Sequence, residues 1–148
     1  MSIRNTIIDN LISELDDLKT VDYEADIKKI TPFVANYLTE PSSNTPMLMV
    51  TDEGNDTLLT EDPTHVCFAF NVTIYGFINK DIKYEKTQEE LNEITASIKQ
   101  WINSGPSLGD NVYAIQFVEC TGNSYDDQGK ALTGVRTRIL YWCVKGTY

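Results

Sequence analysis

One uncharged stretch constrains the fold more than any other feature of this chain. It runs from His65 to Ile78 and reads HVCFAFNVTIYGFI, fourteen residues in a protein whose formal net charge is -10. Even-numbered residues such as Val66 and Phe68 fall on one side of an extended chain and odd-numbered residues such as Cys67 on the other, which is the period of a strand. The run is shorter than the roughly 20 apolar residues that a membrane-spanning helix needs. The pattern therefore predicts a long strand with two different faces.

Two amphipathic helices are predicted, one before this strand and one after it. The first carries apolar residues at three- and four-residue spacing and begins after Ser2, a residue type that caps helix N-termini. Its apolar stripe consists of Ile3, Ile7, Ile8, Leu11, Ile12, Leu15 and Leu18. The second begins at Thr87, where Thr87 and Glu90 have the spacing of a capping box, and ends before Gly105 and Pro106. Both helices are expected to cover the sheet.

Weaker patterns predict the segments that lie between the first helix and the long strand. Residues 21–27 alternate weakly and indicate a short strand, after which Thr31 and Pro32 favour the start of a helical turn. Met47–Val50 has the composition of a compact strand. The acidic, glycine-containing segment Thr51–Pro63 is predicted to be a connection.

Two alternating segments, Val112–Cys120 and Leu132–Val144, predict two further strands. The polar loop Thr121–Lys130 between them makes a long-looped hairpin the simplest arrangement. The order helix, strands, helix, strands is typical of an α+β domain, in which two main helices pack on one face of a mixed, mostly antiparallel sheet. We expect residues 1–148 to form a single domain, because the length suits one core and no linker or repeat interrupts it.

The cysteines do not indicate a disulfide framework or a zinc site. There are three, an odd number, and Cys67, Cys120 and Cys143 lie far apart in strand-like segments without a C-x-x-C spacing. We expect reduced thiols that pack as small apolar side chains in a reducing cytoplasm. The first residues lack the basic and apolar blocks of a secretory signal, so we expect the chain to remain where it is made.

No group of residues predicts catalysis or a cofactor. His65 is the single histidine, so no Ser/His/Asp or Cys/His arrangement is possible without it. Asp126 and Asp127 are the best acid pair, yet adjacent side chains diverge rather than converge on one bond. The acidic loops 52–62 and 123–129 lack the residue order of a calcium-binding loop, and the glycine-rich phosphate-binding motifs are missing. We expect a protein that is not an enzyme and that holds no metal or cofactor.

Aromatic residues exceed what one sheet face can bury. With two helices on one face, the opposite face would keep several aromatic side chains, depending on the register of the strands. The candidates are Tyr75, Phe77, Tyr113, Phe117, Tyr141 and Trp142. A second sheet face that is rich in aromatic side chains commonly belongs to an interface. This excess predicts that the chain assembles with other subunits.

The charges are unevenly placed along the chain. Acids outnumber Lys and Arg by 22 to 12, so the chain as a whole repels nucleic-acid phosphates. Residues 40–62 contain six acids and no base, whereas residues 128–148 contain four bases and no acid. Two interpretations fit this asymmetry: a solvated loop with an edge strand that cations protect, or a pair of complementary faces.

In layout, the chain resembles the tail terminator, or tail completion, proteins of long-tailed bacteriophages. The resemblance spans nearly the whole chain. It consists of an amphipathic helix IRNTIIDNLISEL, a Pro-led strand TPMLMV, the long strand VCFAFNVTIYGFI, a helix LNEITASIKQWI and a closing strand GVRTRILYWCV. The likeness is of layout more than of motif, because no catalytic signature defines such proteins.

The resemblance implies a subunit that forms a ring, typically a hexamer, on the last ring of the phage tail tube. Such a ring ends the polymerisation of the tail tube protein and offers a joining surface to the head-tail connector or neck protein. DNA passes through the lumen without specific binding, and an acidic wall would let it slide. The subunit would be made in the host cytoplasm and reside at the head-proximal end of the virion tail, with no membrane partner.

In a ring, every contact joins two different faces of neighbouring subunits. Arg136 and Arg138 are two residues apart on a predicted strand and therefore share one face. The acidic connection supplies Asp52, Glu53 and Asp56 as partners. We expect the basic face and the acidic face to lie on opposite sides of the subunit and to pair across each interface.

The loop Thr121–Lys130 is a second candidate contact. A loop rich in Gly, Asn, Ser and Asp buries little apolar area by itself. Tyr125 offers one apolar anchor, and with Asp126 and Asp127 it is predicted to contact a neighbouring subunit or the tail tube. The loop is expected to become ordered only in that contact.

Other functions stay open at this stage. The chain could be another neck or tail-completion protein of the same fold. A module that binds a small molecule or peptide would use the apolar sheet face as a pocket and would remain monomeric. An enzyme that used Asp126 and Asp127 with a metal would show turnover that an Asp126→Ala substitution removes.

Overall fold

A computed structural model describes residues 2–80, 87–126 and 128–148 of the chain. Its two α-helices are α1, Ile3–Glu14, and α2, Thr87–Asn103. The strands are β1, Lys29–Pro32; β2, Met47–Asp52; β3, Thr57–Glu61; β4, His65–Asn79; β5, Val112–Cys120; β6, Ser124–Tyr125; and β7, Lys130–Val144. Short 3-10 turns occupy Leu15–Lys19, Tyr37–Thr39 and Ser42–Asn44. Neither α-helix in these ranges is long and apolar enough to cross a membrane.

The strands form one open sheet around the paired strands β4 and β7. Its order is β1-β2-β4-β7-β5, with β3 also on β4 and β6 also on β7. Only the β1–β2 pairing within the described ranges is parallel, and the other pairs are antiparallel. β4 and β7 pair along their whole length, from His65 opposite Val144 to Asn79 opposite Lys130. The predicted α+β domain with a mixed, mostly antiparallel sheet is confirmed.

One face of the sheet, called here the helix face, carries the even-numbered residues of β4 and packs against α1 and α2. Its core includes Phe70 and Ile74 from β4 and Trp101 from α2, all fully buried. The predicted cap is present, since Ser2 Oγ accepts a hydrogen bond from the Asn5 backbone N–H at 3.1 Å. Burial of this much apolar surface is the main stabilising contribution to such a fold.

A glycine allows α2 to approach β4 closely. At Gly76, a Cβ atom would lie only 2.7 Å from Cγ2 of Ile94. Any side chain at this position would therefore force the helix away from the strand or Ile94 out of its rotamer. The register of Gly76 with Leu48 and Thr133 is regular, so β4 passes through this position without a bulge.

The segment between α1 and β2 differs from the prediction. Residues 21–27 form no strand, and β1 lies further along, at Lys29–Pro32, where Met47–Val50 provides a partner. The helical turn expected from Thr31 also comes later, at Tyr37–Thr39. A strand forms where a neighbouring strand satisfies its backbone hydrogen bonds. The weak alternation at residues 21–27 therefore did not predict the position of β1.

The acidic connection contains a strand that the sequence did not reveal. β2 and β3 both pair with the same edge of β4, and residues 53–56 form an excursion between them. Asn71 of β4 holds this excursion: its side-chain Oδ1 accepts from Asn55 Nδ2 at 2.7 Å, and its backbone N–H donates to Asn55 Oδ1 at 3.0 Å. β2 and β3 thus behave as one edge strand interrupted by a large bulge.

The loop between β5 and β7 is partly folded. Ser124 and Tyr125 form β6 and pair with Leu132 and Ala131. The carboxylate of Asp126 accepts hydrogen bonds from the backbone N–H groups of Gln128 and Lys130, at 2.9 and 2.8 Å. A side chain that caps its own turn in this way stabilises the loop locally. Asp127, the third predicted contact residue, lies outside the described residues.

Candidate functional site

Several exposed apolar side chains lie on the strands β3 and β5. On β3, Leu58 and Leu59 are 52% and 38% exposed. On β5, Tyr113, Phe117 and Val118 are 56%, 42% and 41% exposed. Exposed apolar edges mark sites where another chain can bind. The two edges are therefore the candidate assembly surfaces.

The second face, called here the open face, carries the odd-numbered residues of β4 and is largely covered. Residues 33–40 cross one end of it, and Tyr37 packs edge-on against Phe77 with ring centroids 5.1 Å apart. Tyr75 packs against Phe33 in the same cluster. Further along, Ala69 is also buried. The expectation that the opposite face keeps its aromatic side chains exposed is therefore wrong for Phe77, because residues 33–40, which precede β2, fold back over this end of the face.

The register decides where the other aromatic side chains lie. Tyr141 is on the helix face, buried in the main core. Phe117 is opposite Thr137 and lies below the ammonium of Lys99 on α2, with Nζ 5.1 Å from the ring centroid. Of the six aromatic candidates, only Tyr113 and Trp142 remain at the surface on the open side. They line a cavity.

This cavity lies where the open face meets β3. Its volume is about 340 Å³, and its lining comprises Thr60, Glu61, Asp62, His65, Val66, Cys67, Tyr113 and Trp142. His65 and Trp142 pack edge to face with ring centroids 5.2 Å apart. The Cys67 thiol contacts the Tyr113 hydroxyl at 3.0 Å, and this hydrogen bond raises the pKa of Tyr113. The thiol is paired with a phenol and not with an imidazole, so these contacts do not form a Cys/His nucleophile site.

The acidic connection is tied to the helix side of its own subunit. Arg4 of α1 donates to Asp52 from Nε and Nη2, at 2.7 and 2.5 Å, and its guanidinium lies 4.3 Å from the ring centroid of Phe70. Asp56 is 3.8 Å from the same guanidinium and accepts a hydrogen bond from the Tyr141 hydroxyl at 3.1 Å. Burial, followed by the charge of Asp56, raises the pKa of Tyr141. Asp52 and Asp56 thus anchor the bulge to α1.

The two predicted arginines do share one face, but one of them is paired inside the subunit. Arg136 and Arg138 lie opposite Thr73 and Asn71, on the open face. Arg136 Nε lies 3.0 Å from the carboxylate of Glu53. The expectation that the basic and acidic groups lie on opposite sides of the subunit was therefore wrong for this pair. The bulge at residues 53–56 brings Glu53 over the sheet edge to Arg136.

Arg138 differs from Arg136 in having no ion pair anywhere in the described parts of the chain. It lies beside Gln116 of the edge strand β5. The positive charge of Arg138 lowers the pKa of the Tyr113 hydroxyl. This effect is smaller than the increase in that pKa caused by the hydrogen bond with Cys67. Arg138 is thus a cation without an ion pair in the described ranges, and it lies on β7, the strand next to the edge strand β5.

The predicted contact loop has one exposed aromatic side chain. Tyr125 is 49% exposed and lines a second cavity, of about 190 Å³, with Tyr37 and Leu38 of the segment that covers the open face. Asp126 also borders this cavity, but its carboxylate caps the turn described above. The structure therefore favours Tyr125 over Asp126 as a contact residue.

The ion pair between Arg4 and Asp52 makes stability depend on pH. Burial would raise the pKa of Asp52, but hydrogen bonds from Arg4 and the Gly54 N–H outweigh it and lower that pKa. A lowered carboxyl pKa contributes stability above the ordinary value of about 3.9, and the contribution is lost as pH falls through the folded-state pKa. We expect Asp52→Asn to cost about 1 kcal/mol at neutral pH and progressively less as pH falls below about 4.

Urea unfolding at neutral and acidic pH measures this difference. Asp26→Asn is the control, because Asp26 is exposed and its carboxylate pairs with Lys28 at the surface. A cost of Asp52→Asn that stays constant down to the lowest pH would contradict the role of the ionised carboxylate.

No cluster of three or more His, Cys, Asp or Glu side chains within residues 2–80, 87–126 and 128–148 could hold a metal ion. In the described parts of the acidic loops, Asp52 and Glu53 pair with arginines and Asp126 accepts hydrogen bonds from backbone N–H groups. The chain matches no protein-family model, and no curated protein matches it.

Proposed function

We propose that this chain is a tail terminator subunit of a long-tailed bacteriophage. Its copies form a closed ring, a hexamer by the resemblance in layout, on the end of the tail tube. The ring stops the tube protein from polymerising further and presents a joining surface to the head-tail connector or neck protein. One observation supports self-assembly above the others: exposed apolar side chains lie on β3 and on β5, two strands that each have one side without a strand partner in the described ranges.

Two different edges on one subunit favour a ring over a symmetric dimer. A contact between unlike surfaces is heterologous, and repetition of such a contact gives a closed ring when the rotation between neighbours closes. The net charge of -10 suits a ring through which DNA passes, because a negative wall repels phosphates. Tyr125 remains the candidate contact with the tube or a neighbour.

A second function is favoured by the cavity beside Trp142. Apolar cavities of about 300 Å³ or more accommodate small ligands or peptide side chains. A chain that worked as a ligand-binding module would be monomeric, and a ligand would raise its thermal stability. The oligomeric state therefore separates the two functions.

Electron microscopy of the purified chain with and without tail tubes tests the proposed function. We expect rings with an open centre, and we expect these rings to bind at one end of preformed tubes and to stop their elongation. Rings that never bind a tube would contradict the proposed terminator function. A chain that leaves tube growth unchanged at saturating concentration would do the same.

A further inference from the structure

We infer that the subunits join by antiparallel pairing of β5 in one copy with β3 in the next, which continues the sheet from subunit to subunit. This inference rests on the proposed ring and adds the surface through which it forms. Its basis is that β3 and β5 each have one side without a strand partner in the described part of the fold, together with exposed apolar side chains.

The β1 edge carries a proline and a lysine, whereas β5 carries neither. β1 ends in Pro32 and begins with Lys29, and proline and lysine are residues that block edge-to-edge pairing. β5 spans nine residues, with Glu119 as its one charge and no proline. Tyr113 and Val118 are skipped in its register with β7, so both are bulge residues with exposed apolar side chains.

The strand β3 has the features of a matching partner. All five of its residues are exposed, and its centre is the apolar pair Leu58 and Leu59. It pairs with β4 on one side, and its other side has no strand partner among the described residues. An edge of this kind has unpaired backbone N–H and C=O groups that another strand can satisfy.

The strand directions of the two edges are complementary. β3 is antiparallel to β4, β4 to β7, and β7 to β5, so β3 and β5 run in opposite directions within one subunit. Rotation about an axis along the strands preserves strand direction. A neighbour placed in the same orientation therefore presents a β3 that is antiparallel to β5, the stronger of the two pairing modes.

Lysine substitutions at the edges test the pairing. Val118→Lys and Leu58→Lys each introduce a charge at an exposed edge position, where it does not disturb the core. We expect each to raise the protein concentration needed for ring formation by at least about tenfold. Val21→Lys is the matched control, because Val21 is fully exposed and lies on neither edge; it should assemble like the wild type. Circular dichroism checks that each variant is folded.

A cross-link between the two edges gives an independent readout. Cys120 ends β5, is exposed and lies opposite Val135, while Leu58 lies opposite Phe68, so both positions are on the helix side of the sheet. Chains that carry Leu58→Cys with Cys120→Ser are mixed with wild-type chains and treated with a short bismaleimide. We expect cross-linked dimers from the mixture and none from either protein alone.

The outcomes separate the pairing from the proposed function. Rings that persist in both lysine variants, without cross-linked dimers, would overturn the β3–β5 pairing and leave the ring proposal standing. Cross-linked dimers from a protein that forms open chains but no closed ring would support the pairing and overturn the terminator role. A monomer that shows neither rings nor cross-links would overturn both.

Discussion

Replacement of Trp101 by alanine is expected to lower the free energy of unfolding by about 3–5 kcal/mol. Trp101 is the largest fully buried side chain, and it lies in the core between α2 and the helix face of the sheet. Its removal loses apolar burial and leaves a cavity that the surrounding strands can only partly fill. Because small domains are stable by about 5–15 kcal/mol, much of the total would be lost.

Trp101→Phe is the control for this prediction. The indole Nε1 of Trp101 is buried and has no hydrogen-bond partner within the described ranges. Phenylalanine removes this unsatisfied donor while it retains most of the apolar volume, so we expect a cost below about 2 kcal/mol. Chemical denaturation of both variants measures the costs. Equal costs for alanine and phenylalanine would contradict the role of buried volume.

Gly76→Val is expected to destabilise the protein by about 2–3 kcal/mol because it overpacks the contact between β4 and α2. Even a Cβ atom at this position would lie 2.7 Å from Ile94 Cγ2, and a valine adds two methyl groups. Valine is otherwise a favourable strand residue, so its intrinsic propensity should not cause the loss. Thermal and urea unfolding measure the effect.

A double substitution tests the cause. Ile94→Ala removes the methyl group against which the new side chain would clash, and by itself it should cost about 2–5 kcal/mol. Combined with Gly76→Val, the total cost should be at least about 1 kcal/mol below the sum of the single costs, because the two residues are in contact. Simple additivity would show that Gly76 matters for another reason.

These substitutions also separate folding from assembly. Trp101 and Gly76 act through the helix face, which α1 and α2 cover, whereas Val118 and Leu58 act at exposed edges. Folding variants should lose stability and assembly together. Edge variants should lose assembly and keep the stability of the monomer.

The sequence predicts the central elements well because their patterns are local. The alternation of β4, the apolar stripe of α1 with its Ser2 cap, and the span of β5 all appear in the structure. The stripe of α1 follows from burial of one side of the helix, and the length and uncharged composition of β4 follow from burial of both of its faces. The core and the class of the fold follow from them.

The strands β3 and β6 were missed for a physical reason. β3 reads TLLTE and sits between acids, so its composition resembles a loop, and only the neighbouring edge of β4 makes it a strand. β6 is two residues long and depends on β7. The Leu58-Leu59 pair inside the acidic connection was the one signal that favoured a strand there.

The candidate site was predicted in part. Strand parity places Arg136 and Arg138 on one face, and the register with β4 agrees. The pairing of Arg136 with Glu53, and of Asp52 with Arg4, depends on how the bulge at residues 53–56 folds. Loop conformation has no simple period, so these intramolecular pairs could not be predicted. Four of the five charged residues that the sequence assigned to a subunit interface are paired inside the subunit, namely Asp52, Glu53, Asp56 and Arg136. Arg138 has no ion pair in the described ranges.

Native mass spectrometry of the purified chain over a series of concentrations tests the central claim most directly, because it counts the subunits in each assembly. A heterologous contact that closes into a ring predicts one discrete oligomer, expected to be a hexamer, whose subunit number stays fixed as the concentration rises. The same oligomer should disappear in Val118→Lys and persist in Val21→Lys. A chain that is monomeric at every concentration would contradict the claim, and so would a continuous series of ever longer oligomers.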